Sequence, residues 1–171
     1  MSMTLTMKAV SDGEIEKLFA EPQLTFDLLY PEEDDTLDDS SLLDLDKAWH
    51  GIHYLLTGTA WEGEPPLNAL VVGGTSLPDP DDEWAYGPPR ILRSADVRAL
   101  DQALDAVSDQ DLRNRFDAAE MTAKEIYPEV IWERDPREDN ALGYLMEYVR
   151  VLRDFIRATN ATGEGLVIAL V

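Results

Sequence analysis

Leu166-Val167-Ile168-Ala169-Leu170-Val171 is the stretch whose reading decides the fold class. An unbroken apolar run of this length and composition predicts a buried strand. Asn160 to Gly165 ahead of it reads as a turn. Further upstream, Leu142, Leu145, Val149, Leu152 and Ile156 recur at three- and four-residue steps, which predicts a core-facing helix over about residues 138–159. Tyr144, Tyr148, Val151 and Phe155 widen its apolar face and mark it as central. At the other end of the chain, Met3, Leu5, Met7 and Ala9 alternate with Thr4, Thr6 and Lys8, the period of a half-buried strand. Pairing of the first and last segments within one small sheet, with several helices packed on it, gives an α+β fold. With 171 residues the chain is long enough to build a core, and it reads as one compact domain over 1–171.

The intervening elements follow from local chemistry. Ser11-Asp12-Gly13-Glu14 is a capping box that opens a short helix with Ile15, Leu18 and Phe19 inward and Pro22 at its end. Gln23 to Tyr30 reads as a second short helix. Pro31 to Asp46 carries eight acidic residues and no basic one; like charges at this density repel, and most of the stretch reads as an exposed loop that begins to order at Ser40 to Leu43. Leu67 to Val72 is an apolar run before Gly73-Gly74, compatible with a strand or a short helix. Leu77 to Pro89 is a proline-rich acidic loop, and Arg90 to Arg93 a short strand. Ser94 is expected to cap a helix with the stripe Val97, Leu100, Leu104 and Val107. Ser108 or Asp109 is expected to cap another that carries Leu112, Phe116, Ala119, Ala123 and Ile126, before Pro128 and residues 133–139 break the pattern.

Composition excludes several classes of function. The absence of cysteine removes disulfides, thiolate metal sites and cysteine nucleophiles. No apolar run approaches the roughly 18 residues of a membrane span, and the N-terminus lacks the pattern of a signal peptide, so the expected location is the cytoplasm. The net charge is -21, from 35 acidic and 14 basic residues. Direct contact with nucleic acid or an anionic membrane needs clustered positive charge and is not expected. Solubility accounts for such a charge, and so does docking to a basic protein partner, which the field would accelerate.

Both histidines lie in one stretch, Asp44-Leu45-Asp46-Lys47-Ala48-Trp49-His50-Gly51-Ile52-His53-Tyr54-Leu55-Leu56-Thr57-Gly58. Read as a helix from about Asp46 to Thr57 with Gly58 at its exit, it turns Ala48, Trp49, Ile52, Leu55 and Leu56 toward the core. Asp46, His50, His53 and Thr57 fall on a narrow second stripe, and Lys47, Gly51 and Tyr54 lie further round. Four readings of that stripe stand open. Asp46, His50 and His53 can share a divalent metal, although no second ligand cluster accompanies them. Asp46 can orient His50 as a general base. Trp49 and His50 can form a binding surface without chemistry. Finally, both histidines can hydrogen-bond to backbone and hold the helix in place.

Other candidate groups are fewer. Tyr86-Gly87-Pro88-Pro89-Arg90 is a stiff turn able to present a phenol and a guanidinium together; Arg90 suits a carboxylate or phosphate, or an internal acid. Tyr127-Pro128-Glu129-Val130-Ile131-Trp132 can build an aromatic pocket or pack into the core. Gly73-Gly74 lacks the spacing of a dinucleotide or phosphate-binding loop, no serine sits in a nucleophile elbow, and calcium-loop spacing is absent. No cofactor, catalytic residue or metal site is assigned from these patterns.

In order along the chain, Leu45 to Gly58, Tyr86-Gly87-Pro88-Pro89-Arg90 and Ile126-Tyr127-Pro128 with Ile131-Trp132 resemble the YfbM-like family of uncharacterised bacterial proteins. The resemblance covers nearly the whole chain; it departs at the N-terminal Met-Ser-Met-Thr-Leu-Thr stretch and in the length and acidity of residues 31–44. It implies a compact α+β protein of the bacterial cytoplasm and no catalytic assignment. The expected function is that of a non-enzymatic binding or regulatory protein acting through a basic protein partner, of which an immunity- or antitoxin-like role is one version. The alternative is a small-molecule sensor or enzyme with its site around Asp46, His50, Tyr86 and Arg90. The candidate binding residues are Asp46, Lys47, Trp49, His50, His53, Tyr86 and Arg90. Mimicry of nucleic acid is disfavoured, because the acids cluster in loops. A homodimer is the default oligomer only because two-fold dimers are the commonest.

Overall fold

The computed structural model describes residues 2–32 and 39–171. The central part of the expected acidic loop, 33–38, lies outside the described residues. Five strands form one antiparallel sheet: β1 (Leu5–Val10), β2 (Leu42–Asp44), β3 (Thr75–Ser76), β4 (Arg90–Leu92) and β5 (Gly165–Leu170), in the order β2-β1-β5-β4-β3. The first and last strands pair along their full length, from Leu5 opposite Leu170 to Val10 opposite Gly165. They occupy the middle of the sheet, as the terminal apolar patterns require.

Seven α-helices are described: α1 (Asp12–Ala20), α2 (Leu24–Leu29), α3 (Trp49–Thr57), α4 (Ser94–Ala106), α5 (Asp109–Arg115), α6 (Ala118–Ala123) and α7 (Ala141–Ala161). They cover both sides of the sheet. Leu5, Met7, Ala9, Leu92, Leu166 and Ile168 face a large core shared with α3, α4 and α7. Val10, Ile91, Val167 and Ala169 face a smaller core built with Ile15 and Leu18 of α1 and Leu29 of α2. The alternation of β1 therefore does not mark a half-buried strand. Thr6 and Val10, on its second face, are also buried. Lys8 on that face extends to the segment leading into β2, where its Nζ donates to Asp39 Oδ2 at 2.6 Å and to Ser41 Oγ. The bond from Lys8, and a second from the Ser41 hydroxyl to Asp39 Oδ1, hold the pKa of the Asp39 carboxyl down to about 2.

Several boundaries differ from expectation for identifiable reasons. The capping boxes at Ser11 and Ser108 form with Glu14 and Asp111. At α4, however, the extended Arg93 holds the cap position, with no side-chain bond, and Ser94 is already helical. The helix expected to run from Ser108 through Ile126 is two helices. Asp117 is extended and its carboxylate accepts from Glu120 N at 3.0 Å, so it starts α6 afresh after Phe116. Leu67 to Val72 is neither strand nor helix but a succession of turns. Its carbonyls are taken up by a side chain from far along the chain, described below. Helix α7 places Leu145, Val149, Leu152 and Ile156 in the core as its spacing predicts, whereas Leu142 is only half-buried.

Candidate functional site

Helix α3 is shorter than the sequence suggests. Asp46 and Lys47 lie in a turn before it, where Asp46 adopts φ 48° and its amide donates to Asp44 Oδ1 at 2.7 Å. The Asp46 carboxylate accepts from the Tyr144 hydroxyl of α7 at 3.0 Å. That contact and burial push the Tyr144 phenol well above its ordinary value. Asp46 is thus not part of a helical stripe with the histidines. Lys47 is half-buried in the same turn.

From Trp49 to Leu56 every residue of α3 is buried, so the helix has no polar face. The reason is visible at both ends and on both flanks. Leu55 O and Leu56 O at its C-terminus receive Nη1 of Arg115 from α5, at 3.0 and 3.5 Å. These are carbonyls that a helix end leaves unpaired, and a guanidinium satisfies them while complementing the helix dipole. Tyr54 donates to Glu120 Oε2 of α6 at 2.6 Å. Gly51 sits so close to α7 and Trp132 that an added Cβ would lie 2.7 Å from Leu145 Cδ2 and 2.8 Å from Trp132 Cη2.

His50 is fully buried and both ring nitrogens are engaged. Tyr127 N donates to Nδ1 at 2.9 Å, and Nε2 lies 2.8 Å from Ala60 O. An amide donor on one side and a carbonyl on the other select the neutral tautomer with the proton on Nε2. Burial lowers the imidazole's affinity for a further proton. This geometry ties the loop after α3 to Tyr127 and leaves no lone pair for general-base chemistry. His53 is equally buried; Nε2 lies 3.5 Å from Thr59 Oγ1, and Nδ1 has no partner among the described residues. Burial first, then the neighbouring His50, pushes its pKa down to about 4. Among the described residues no group of three or more histidine, aspartate or glutamate side chains gathers for a metal ion.

The remaining predicted groups do meet. Trp49, Tyr86 and Arg90 line one cavity of 340 Å³, between the start of α3, the Tyr86 turn and the sheet. Its other walls are Trp61, Leu70 to Val72 and the strand residues Leu5, Ile168 and Leu170. The Trp49 ring stacks on His50 at 4.7 Å and lies 6.1 Å from both Trp61 and Tyr127, and its Nε1 donates to Met3 O at 3.1 Å. Among the described residues Arg90 has no ion-pair partner, and its side chain folds back onto main-chain carbonyls. Nη1 donates to Ala69 O at 3.0 Å and Gly73 O at 2.9 Å, and Nη2 to Leu70 O at 2.8 Å. These bonds fold residues 67–73 into their turns. Burial lowers the guanidinium to about 10, so it stays charged at neutral pH.

Trp61 was not among the sequence candidates, and it carries a legible signal: a tryptophan inside the polar, glycine- and proline-rich stretch Thr57 to Pro66. It is 52% exposed and forms the rim of the cavity. A second group also escaped the sequence reading. Phe26 of α2 and Tyr30 just past its end lie 5.0 Å apart, Trp84 is 6.3 Å from Phe26, and the three line a 510 Å³ groove with Glu83, Tyr86, Leu170 and Val171. Trp132, by contrast, is buried and donates to Ile126 O at 2.6 Å, so the Tyr127–Trp132 segment packs into the core on that side.

The sheet order and the flanking helices define an α+β protein with a buried histidine-bearing helix. The profile of the family described as "Domain of unknown function (DUF1877)" matches residues 1–169, and the chain belongs to that family. It is similar to Protein YfbM of Escherichia coli (strain K12), with 31% identity over 104 residues, spanning 59% of this chain and 60% of that relative. The alignment therefore spans less than two thirds of the relative's length. The crystal structure of a protein of unknown function, YfbM from Escherichia coli, superimposes with a TM-score of 0.74 at 22% identity, covering 98% of this chain and 99% of that one. Those findings establish the YfbM-like fold and carry no activity. No described helix is long and apolar enough to cross a membrane.

Proposed function

We propose that this is a cytoplasmic, non-enzymatic binding protein that acts through a basic protein partner, docked on the groove of Phe26, Tyr30 and Trp84. The observation that carries the reading is an exposed aromatic shelf beside carboxylates. Phe26 is 59% and Tyr30 40% exposed, both large for aromatic side chains that touch one another. The adjoining cleft is lined by Pro22, Pro78, Asp79, Asp81, Glu83 and Trp84, and among the described residues no lysine, arginine or histidine lines either groove. Aromatic faces next to acids suit a segment that carries arginine or lysine beside apolar side chains, through cation–π contact and desolvated packing. The net charge of -21 adds long-range attraction to such a partner. The buried, doubly bonded His50 supports the non-enzymatic part.

The test is affinity capture from the native host with wild-type protein and with Phe26→Ser and Trp84→Ser. A partner retained by the wild type, lost by both variants and released at high salt is the expected result. A partner that both variants hold equally well, or the absence of any salt-sensitive partner, refutes the reading.

A further inference from the structure

The cavity at Trp49, Trp61, Tyr86 and Arg90 is separate from that groove; the two share only Tyr86 and Leu170 among their walls. Its lining is unusual for this chain. Among the described residues no acidic side chain contributes to it, and Arg90 is its single charged group. None of the seven ion pairs among the described residues includes Arg90. Three of its donated bonds go to main-chain carbonyls, which orient the guanidinium without cancelling its charge. Of the five donors an arginine carries, Nε–H and one Nη2–H are left over. Tyr86 and Ser76 are hydroxyl-bearing residues among its walls, and a hydroxyl can donate. The other walls are apolar or aromatic, and 340 Å³ is enough for a small ligand but not for a dinucleotide.

We propose that this cavity binds a small aromatic monocarboxylate, its ring packed against the wall that Trp49 and Trp61 form together and its carboxylate toward Arg90 and Tyr86. A carboxylate is the planar acceptor that a guanidinium fork recognises. One uncompensated cation balances one negative charge. A phosphate dianion would meet a single arginine against the field of a chain with net charge -21. The half-exposed Trp61 leaves an entrance, whereas Trp49 is fixed from behind by its bond to Met3 O. Binding is therefore expected to order Trp61 and to leave the sheet unchanged.

The experiment is calorimetric titration of the full chain with hydrocinnamate and with its neutral counterpart, hydrocinnamyl alcohol. The acid is expected to bind about tenfold tighter than the alcohol, the selectivity of one charge-assisted contact. Trp61→Ala should weaken both ligands alike, and Tyr86→Phe should weaken the acid alone. Both side chains are partly exposed, so neither change is expected to unfold the protein. Arg90→Lys should abolish the preference for the acid; if that variant loses its fold because residues 69–73 are released, the Tyr86→Phe result decides. Equal affinity for acid and alcohol overturns the proposal. So does the absence of binding at millimolar ligand, or acid binding that Trp61→Ala leaves unchanged. Phe26→Ser, outside the cavity, should not alter any of these values, which keeps this test apart from that of the partner groove.

Discussion

His50 and His53 illustrate how one residue type can be rare, central and still structural. His50 is held as a neutral donor–acceptor bridge between Ala60 O and Tyr127 N. His53 has the lower proton affinity of an imidazole buried beside another, at about 4. In the unfolded chain a histidine takes up its proton near 6.5. Between these values the unfolded state binds more protons than the folded one, so the stability tied to His53 is fully present above 6.5. It is lost as the pH falls toward about 4. The upper bound of the loss is on the order of 3 kcal/mol. Neutralisation of surplus carboxylates over the same range acts in the opposite direction, so the comparison must be made between proteins. Urea unfolding at several pH values should show the wild type losing ground relative to His53→Leu as the pH is lowered. Parallel curves for the two would show that His53 is not the titrating group. Asp39, held at about 2 by Lys8, acts only in a more acidic window and does not confuse the result.

At the scale of elements, Gly51 decides how closely α3 can approach its neighbours. Inside a helix, alanine is ordinarily favoured over glycine by about 1 kcal/mol. At Gly51 the added methyl meets the buried Leu145 and Trp132 at under 3 Å, and such overpacking costs about 1–3 kcal/mol. Gly51→Ala is therefore expected to lower the unfolding free energy by about 1 kcal/mol or more, net of its better propensity. In α1 the nearest atom to a Cβ on Gly13 is 3.9 Å away, so Gly13→Ala isolates the propensity gain. Chemical denaturation of both variants checks the sign, and a stabilised Gly51→Ala would mean that α3 and α7 are not packed as described. The same closeness explains what the sequence made legible. The core face of α3, the stripe of α7, the capping box at Ser11 and the pairing of the terminal strands follow from local sequence patterns. Burial of α3 all round does not, because it depends on Arg115, Glu120 and Trp132 arriving from distant positions. Nor do the turns at 67–73, which form on Arg90 bonds spanning 17 to 21 residues. Of the candidate site, Trp49, Tyr86 and Arg90 come together. Asp46 goes to Tyr144 and the histidines are sealed, since spacing along a helix says nothing about what covers it.

For the molecule as a whole, the dominant long-range term is the surplus of 35 acidic over 14 basic residues. Two of the three arginines of α7 are already engaged locally: Arg153 with Asp109, and Arg157 with Asp105 at 3.0 Å. Most of the ion pairs are exposed and contribute little. Compaction therefore brings like charges together with few cations left to offset them, and self-repulsion opposes the folded state. Salt shortens the range of that repulsion from about 30 Å at 0.01 M to about 3 Å at 1 M. Adding sodium chloride over this interval should raise the thermal midpoint by several degrees, since about 1 kcal/mol moves a chain of this size by roughly 2–4 °C. The opposite dependence is expected for the proposed docking of a basic partner, which the same salt should weaken. Scanning calorimetry across the salt series tests the first half. A midpoint that stays level or falls would mean that local pairs, not net charge, set the electrostatic balance.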